Sequence, residues 1–204
     1  MKPLNGPALV AMIALGLQGL SLLVAGLASV ATLALMSSGG VDDRLLSLHD
    51  GLLTVLLVQG TIGYLMTAVA VIVWLWRAHA NAEIIDGAAP EWNRKWVILG
   101  WIVPVLNLWV PRQIVADIWR TSAPSTGTGL INAWWALWLV FYIASQVVSR
   151  MGAVSMEALR TQTWAYVLIT PLGIAAAAVA ILVIRRITQA QAEQSERLAR
   201  ALAP

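Results

Sequence analysis

The sequence predicts an all-α integral membrane protein: a four-helix bundle with one re-entrant or interfacial segment and a cytoplasmic amphipathic helix. Two observations lead to this fold class. Of the 204 residues, 59% are hydrophobic and only 11% are charged, and four long apolar stretches contain no charged side chain. Soluble domains carry about 25% charged residues. The whole chain, residues 1–204, is predicted to form a single membrane domain.

The four apolar stretches are long enough to cross a bilayer. A helix needs roughly 20 residues to cross about 30 Å of hydrocarbon. The predicted spans are residues 7–36, 52–76, 130–148 and 164–184. The first is about twice as long as the apolar core of a signal peptide, so we expect it to stay in the membrane as a span.

A fifth segment, residues 96–111, decides the topology. It would reach only about 24 Å as a straight helix, and Pro104 removes a backbone hydrogen bond near its middle. If the segment does not cross, ten basic residues lie on the side of the N-terminus and three on the other; if it crosses, the division is six and seven. The positive-inside rule therefore favours four spans, a re-entrant or interfacial 96–111, and both termini on the cytoplasmic side of the plasma membrane.

Two further helices are predicted on the cytoplasmic side. In residues 111–121, the apolar positions that include Ile114 and Ile118 share one face, which suits a helix lying along the inner leaflet. The tail, residues 185–204, is predicted to extend the last span as a solvated helix. Its glutamates and arginines stand four residues apart, in the order that favours ion pairs along a helix.

Polar and charged residues of the cytoplasmic segments form the candidate site. If residues 96–111 fold back beneath the bundle, eight side chains come close together: Arg77, Asn81, Glu83, Asn107, Arg112, Gln113, Asp117 and Arg120. One interpretation is a structural network in which Arg77 or Arg112 pairs with Asp117 or Glu83. The other is a nest that binds a lipid headgroup or an anionic metabolite.

The composition excludes several kinds of chemistry. The chain has no cysteine, which removes disulfides, thiolate metal sites and cysteine nucleophiles. His49 and His79 are predicted at opposite membrane faces, so no metal site and no cofactor are expected. No nucleophile and base can be paired; hydrolysis at the outer face by His49 with Asp42 or Asp50 is the weakest alternative. The basic excess belongs to cytoplasmic loops, so no nucleic acid partner is expected.

Three motifs resemble a known family. They are W-x-W-R-A-H-A-N-A-E at residues 74–83, P-E-W at residues 90–92, and G-W-I-V-P-V-L-N-L-W-V-P-R-Q-I-V-A-D-I-W at residues 100–119. This pattern resembles an actinobacterial family of multi-pass membrane proteins known as domain of unknown function 4328, over about residues 59–186. The resemblance implies a bacterial membrane protein without an established activity.

Two functional hypotheses follow. The first is a non-enzymatic regulatory or scaffolding membrane protein, because the predicted spans contain no ionisable residue of the kind that transport requires. The alternative is a small carrier or binder of a lipid or amphiphilic metabolite, with residues 96–111 lining the site. The expected partners are membrane lipids and either a second copy of the chain or a partner membrane protein.

Overall fold

The computed structural model describes residues 1–38, 43–86, 91–123, 127–152 and 155–201, and this part of the chain is all-helical, without a strand. It confirms the predicted all-α class. Six α-helices follow one another, with a 3₁₀ turn at Leu106–Leu108 between the third and the fourth. They are α1 Asn5–Ser38, α2 Asp43–Asp86, α3 Trp96–Ile102, α4 Val110–Ser122, α5 Gly129–Ser149 and α6 Met156–Ala201.

Four of these helices are long and apolar enough to cross a membrane. The qualifying segments are Asn5–Ser37, Val58–Ile85, Gly129–Ser149 and Met156–Ala201, and they contain or overlap the four predicted spans. Helices α2 and α6 have 44 and 46 residues. At 1.5 Å per residue they reach about 66 and 69 Å, roughly twice the thickness of the hydrocarbon, so each extends well beyond a span.

The long helices pack side by side. Helix α1 packs against both α2 and α6, and α5 packs against α6. Large apolar side chains point outward along these helices, with Leu168 of α6 70% exposed and Val55 of α2 64% exposed. An apolar outer surface of this kind suits contact with lipid tails rather than with water.

The tightest packing lies at one end of the bundle, and we call this part the cap. It consists of residues 1–4, 74–86, 91–123 and 183–194, together with the first turns of α5. Helix α4 lies at its centre and contacts α2, α3, α5 and α6. Its apolar residues Ile114, Val115, Ile118 and Trp119 are all at most 3% exposed. Helix α4 stands where a helix along the inner leaflet is predicted, but its apolar face packs inside the protein, because α2, α3, α5 and α6 surround it.

Residues 96–110 form a folded-back hairpin rather than one straight helix. Helix α3 has seven residues, or about 10 Å of length, which is too short to cross a bilayer. Its Gly100 lies directly on α4, since an added Cβ atom would stand 2.9 Å from Val110 Cγ1. The indole of Trp135 on α5 donates a 3.0 Å hydrogen bond to the Leu108 carbonyl in the 3₁₀ turn.

Gly173 marks a close contact of three helices, and we predict that it does not tolerate a side chain. A Cβ atom there would lie 2.7 Å from the Phe141 ring on α5 and 2.9 Å from Leu22 on α1. Gly173→Ala should lower the free energy of unfolding by about 1–3 kcal/mol relative to Gly16→Ala. The measurement is thermal unfolding in detergent, followed by tryptophan fluorescence.

Gly16→Ala is the matched control. It makes the same chemical change within a long apolar helix, but no atom lies within 4 Å of the added Cβ position. The two variants therefore share any gain in helix propensity. Equal melting temperatures for both would show that α1, α5 and α6 can separate at Gly173 without cost.

Candidate functional site

The eight residues predicted to form one site all lie in the cap or at its border with α5, but their hydrogen bonds separate them. Asn81 and Arg77 bind the N-terminal residues. Glu83 pairs with His79, Arg112 binds Asn132 on α5, and Asp117 pairs with Arg120. The side-chain oxygens of Asn107 and Gln113 have no hydrogen-bond partner in the described part of the chain.

Arg77 and Arg112 bind partners other than the carboxylates with which they are predicted to pair. Arg77 donates to the Pro3 carbonyl at 3.5 Å. Arg112 donates through Nε, at 3.1 Å, and through Nη2, at 2.5 Å, to Asn132 Oδ1. Among the described residues, neither arginine forms an ion pair with Asp117 or Glu83. Each carboxylate instead contacts a basic side chain on its own helix, three or four residues away.

Asn81 fastens the N-terminus to the end of α2. Its side chain is only 1% exposed. The Oδ1 atom accepts a 2.7 Å hydrogen bond from the backbone N–H of Lys2, and Nδ2 donates a 3.0 Å hydrogen bond to the Lys2 carbonyl. One amide thus satisfies both backbone groups of one residue, and the start of the chain lies across the end of α2.

Gln191 connects α6 to the rest of the cap and was missed by the sequence analysis. The residue is 1% exposed, and its Nε2 donates 3.0 Å hydrogen bonds to the Ala78 carbonyl and to Ser122 Oγ. Gln194, one turn later, donates to the last carbonyls of α4 at Thr121 and Ser122. The last carbonyls of a helix receive no hydrogen bond from an N–H group of that helix. The side chain of Gln194 on α6 therefore caps the end of α4. The signal in the sequence was the helical spacing that places Gln191 four residues after the apolar Ile187.

His79 is a second residue that the sequence analysis left without a role. It is 2% exposed. Its Nε2 atom lies 2.9 Å from the carbonyl oxygen of Trp92, and its Nδ1 atom lies 3.3 Å from Glu83 Oε1. The ring therefore joins α2 to the segment that precedes α3.

Three side-chain oxygen atoms that belong to the 3₁₀ turn and α4 are buried and have no hydrogen-bond partner among the described residues. They are Asn107 Oδ1, Gln113 Oε1 and Asp117 Oδ2. Gln113 and Asp117 stand four residues apart and so share one face of α4. Burial raises the pKa of the Asp117 carboxyl, and the neighbouring charge of Glu91 raises it further, whereas Arg120 and His79 oppose the change. Unpartnered acceptors of this kind suit a water molecule or the polar part of a ligand.

An aromatic cluster joins the hairpin to α5. The Trp135 and Trp138 rings stack with centroids 4.8 Å apart, and Trp138 stacks on Tyr142 at 5.4 Å. Trp101 of α3 meets Trp135 and Trp138 edge-on. The cluster runs from the cap along α5, and it fixes one side of the hairpin.

Metal-binding residues do not converge in the part of the chain that the structure describes. There, no three His, Cys, Asp or Glu side chains are grouped to hold an ion. The alternative outer-face pair, His49 with Asp42 or Asp50, falls outside the described side chains.

The fold defines a class of protein: an all-helical chain with four helices long and apolar enough to cross a membrane and a packed cap at one end. The family follows from comparison. The family model described as Domain of unknown function (DUF4328) matches residues 37–189, and the chain belongs to this family. No curated protein and no solved structure matches the chain. The matched region contains α2 to α5 and most of α6.

We predict that Asn81→Leu destabilises the cap. The change leaves the backbone N–H and C=O of Lys2 without their partner, at a cost of about 1–3 kcal/mol. Thermal unfolding in detergent should show the lower stability, and hydrogen exchange should show faster exchange at the first residues of the chain.

Asn107→Leu is the matched control for this prediction. It makes the same substitution within the cap, but the Asn107 Oδ1 atom has no protein partner to lose. We expect unchanged stability for this variant. A comparable loss in both variants would contradict the role assigned to Asn81, because the damage would then come from placing leucine in the cap.

Proposed function

We propose that this protein is a non-enzymatic regulatory or scaffolding protein of the bacterial plasma membrane. It crosses the bilayer four times, and its cap lies in the cytoplasm with both termini. The observation that carries the proposal is the end of α6. Beyond Gln194, which bonds to the end of α4, residues 196–201 of the helix are exposed, so they offer a partner a surface outside the membrane.

The orientation is supported by charge and by geometry together. The cap end carries ten of the thirteen basic residues of the chain, as cytoplasmic segments do. The N-terminus contacts the end of α2 through Asn81, and α6 contacts both α2 and α4 through Gln191. Both termini and residues 91–123 therefore share one end of the bundle, which agrees with four crossings.

The hairpin is proposed to enter the cytoplasmic leaflet and return. Residues 96–111 contain no charged side chain, whereas Lys95 and Arg112 flank them. Ile102 and Val105 at its turn are 66% and 63% exposed. Apolar side chains at the turn suit the lipid, and basic side chains at the base suit anionic headgroups.

A scaffolding role fits the exposed tail better than transport or catalysis does. The four apolar stretches carry no ionisable residue that could relay a proton or an ion. In the tail, Glu193 pairs with Arg197 and Glu196 pairs with Arg200, so these charges stabilise the helix itself. Leu198 remains 44% exposed between them. An apolar side chain at this place is a contact point for a partner membrane protein or for a second copy of the chain.

The predicted topology can be tested with single cysteines, because the chain contains none. In intact cells, a membrane-impermeant maleimide should label Gly152→Cys but neither Asn93→Cys nor Ala192→Cys. A permeant maleimide should label all three. Opposite accessibility of the Asn93 and Ala192 positions would mean that residues 96–111 cross the membrane.

The same approach tests the depth of the hairpin. A fluorophore attached to Ile102→Cys should be quenched by spin labels on lipid tails in reconstituted vesicles. A fluorophore on Ala192→Cys is the solvent-exposed control. Equal quenching at both positions would place the hairpin in water and remove the proposed insertion.

The scaffolding role is tested by cross-linking in the native membrane. A photoreactive residue at position 198 should give one defined protein adduct in cells. The control at position 168 is equally apolar but lies within a span and is 70% exposed, so it should give lipid adducts. Lipid adducts alone at both positions would contradict a protein partner at the tail.

One observation favours the alternative, a binder of a lipid or amphiphilic metabolite. The buried acceptors Asn107 Oδ1, in the 3₁₀ turn, and Gln113 Oε1, on α4, lack partners in the described part of the chain. Native mass spectrometry of the wild type and of Asn107→Leu separates the two functions. A small molecule retained only by the wild type supports the binder, and identical spectra support the scaffold.

A further inference from the structure

A cavity of about 320 Å³ lies between the first residues of the chain and the last helix. Residues 1–5 form one wall, and residues between 188 and 196 of α6 form another. The lining residues Lys2, Ala192 and Glu196 are exposed, so the cavity is open at the surface. Pockets that bind small molecules have volumes from about 300 Å³ upward. This cavity is therefore large enough for a small polar molecule.

Two buried polar residues of α6 line this cavity. Thr188 is 7% exposed and Gln191 is 1% exposed. They stand three residues apart and so share one face of the helix. The Thr188 hydroxyl oxygen accepts a 3.1 Å hydrogen bond from the indole of Trp74. A hydroxyl that accepts one hydrogen bond can still donate another, so α6 brings both a donor and an amide to the cavity.

The amide of Gln191 has a fixed orientation, and its oxygen lacks a donor. Nε2 donates 3.0 Å hydrogen bonds to the Ala78 carbonyl and to Ser122 Oγ, whose own hydrogen is donated to the Ile118 carbonyl. Turning the amide over would set its oxygen against the Ala78 carbonyl, and two acceptors would meet. Oε1 therefore keeps its place, where it is buried without a partner among the described residues. An unpaired buried acceptor is costly, and an N–H group of a ligand would remove this cost.

Side chains of both charges line the open part of the cavity. Lys2 carries the positive charge, and its backbone is held at 2.7 and 3.0 Å by the side chain of Asn81. Glu196 carries the negative charge. Its Oε2 atom accepts a 3.1 Å hydrogen bond from Arg200, which leaves Oε1 for another donor. A ligand that has both an amine and an acid group matches this lining better than an ion of one sign.

We propose that this cavity binds a small zwitterion, in which an amine stands a few atoms from a phosphate or carboxylate group. The amine donates to Gln191 Oε1 and to Glu196. The acid group accepts from Lys2 and from the Thr188 hydroxyl. Two sources share this chemistry: the ethanolamine phosphate headgroup of a membrane lipid, and a free amino acid or phosphorylated amino alcohol. The site is separate from the unpartnered acceptors of the 3₁₀ turn and α4, and it does not depend on the scaffolding role.

A lipid headgroup can reach the cavity from the membrane. Asn5 lines the cavity and is also the first residue of α1, where the first candidate span begins. Under the proposed orientation, this level of the bundle meets the headgroups of the inner leaflet. Arg185 and Arg186 are exposed less than one turn before Thr188, and basic side chains attract the phosphate groups of lipids.

The first measurement compares two lipids that differ in their N–H groups. The full-length protein, freed of lipid in detergent, receives an equal mixture of phosphatidylethanolamine and phosphatidylcholine with the same acyl chains. Native mass spectrometry then counts the lipids bound. A choline headgroup keeps the phosphate and the positive charge, but it has no N–H for Gln191 Oε1. Phosphatidylethanolamine should be retained in about ten-fold excess, on the scale of one hydrogen bond to a charged group.

Two substitutions locate the site. Lys2→Met and Glu196→Gln should each weaken the binding of phosphatidylethanolamine about three-fold, the scale of a partly exposed ion pair. Lys2→Met leaves the backbone bonds to Asn81 in place, so it is expected to fold. The matched controls are Lys95→Met, at the other lysine of the chain, and Glu193→Gln, at a glutamate that also pairs with an arginine four residues later. Both controls should bind like the wild type.

Free compounds distinguish the two sources. O-phosphoethanolamine and L-alanine are titrated into the lipid-free protein by calorimetry, with phosphocholine as the compound that lacks an N–H group. Binding of the lipid alone assigns the site to a headgroup. Binding of either free amine, weakened in Lys2→Met, assigns it to a soluble ligand. Equal retention of the two lipids, together with no binding of the free amines, would overturn the proposal. A lipid preference that Lys2→Met and Glu196→Gln leave unchanged would also overturn it, because the lipid would then bind elsewhere.

Discussion

The burial of the apolar face of α4 is the interaction on which the rest of the structure depends. Within a bilayer, lipid tails are as apolar as leucine, so the long helices gain little from covering one another's side chains. The cap is different, because under the proposed orientation it lies where water reaches the helix ends. Burial of Ile114, Ile118 and Trp119 there contributes about 1.5–3 kcal/mol for each side chain. Helix α4 thereby fixes the spacing of α2, α5 and α6 at one end, and the spans continue from that arrangement.

Polar contacts give the cap its specific geometry, while burial gives it most of its stability. Asn81 and Gln191 are each 1% exposed and bond to backbone groups of other elements. A buried amide loses its hydration whichever way it points, so only an arrangement that supplies partners is tolerated. These side chains therefore exclude alternative rotations of α2 and α6 that would cover the same apolar area.

The positions of the spans, of α4 and of the hairpin could be predicted because each depends on a local pattern. An uncharged stretch of sufficient length predicts a span, a period of 3.6 residues predicts α4, and Pro104 in a short apolar segment indicates a turn. The partners of the site residues could not be predicted. Asn81 was expected beside α4, and it binds Lys2, 79 residues earlier in the chain. Such contacts depend on how the helices meet, and the periodicity of one helix contains no information about this.

The contacts of the cap also determine how far a local change can spread. Helix α4 is held by three long helices, and Gln194 caps its end, so loosening of residues 91–96 leaves it in place. The hairpin has fewer supports: Gly100 against Val110, the aromatic contacts of Trp101, and the segment fastened by His79. Because α2, the hairpin and α4 all lie inside the region matched by the family, whereas most of α1 precedes it, the contact of His79 with Trp92 lies within the family domain. The contact of Asn81 with Lys2 joins that domain to a residue outside it.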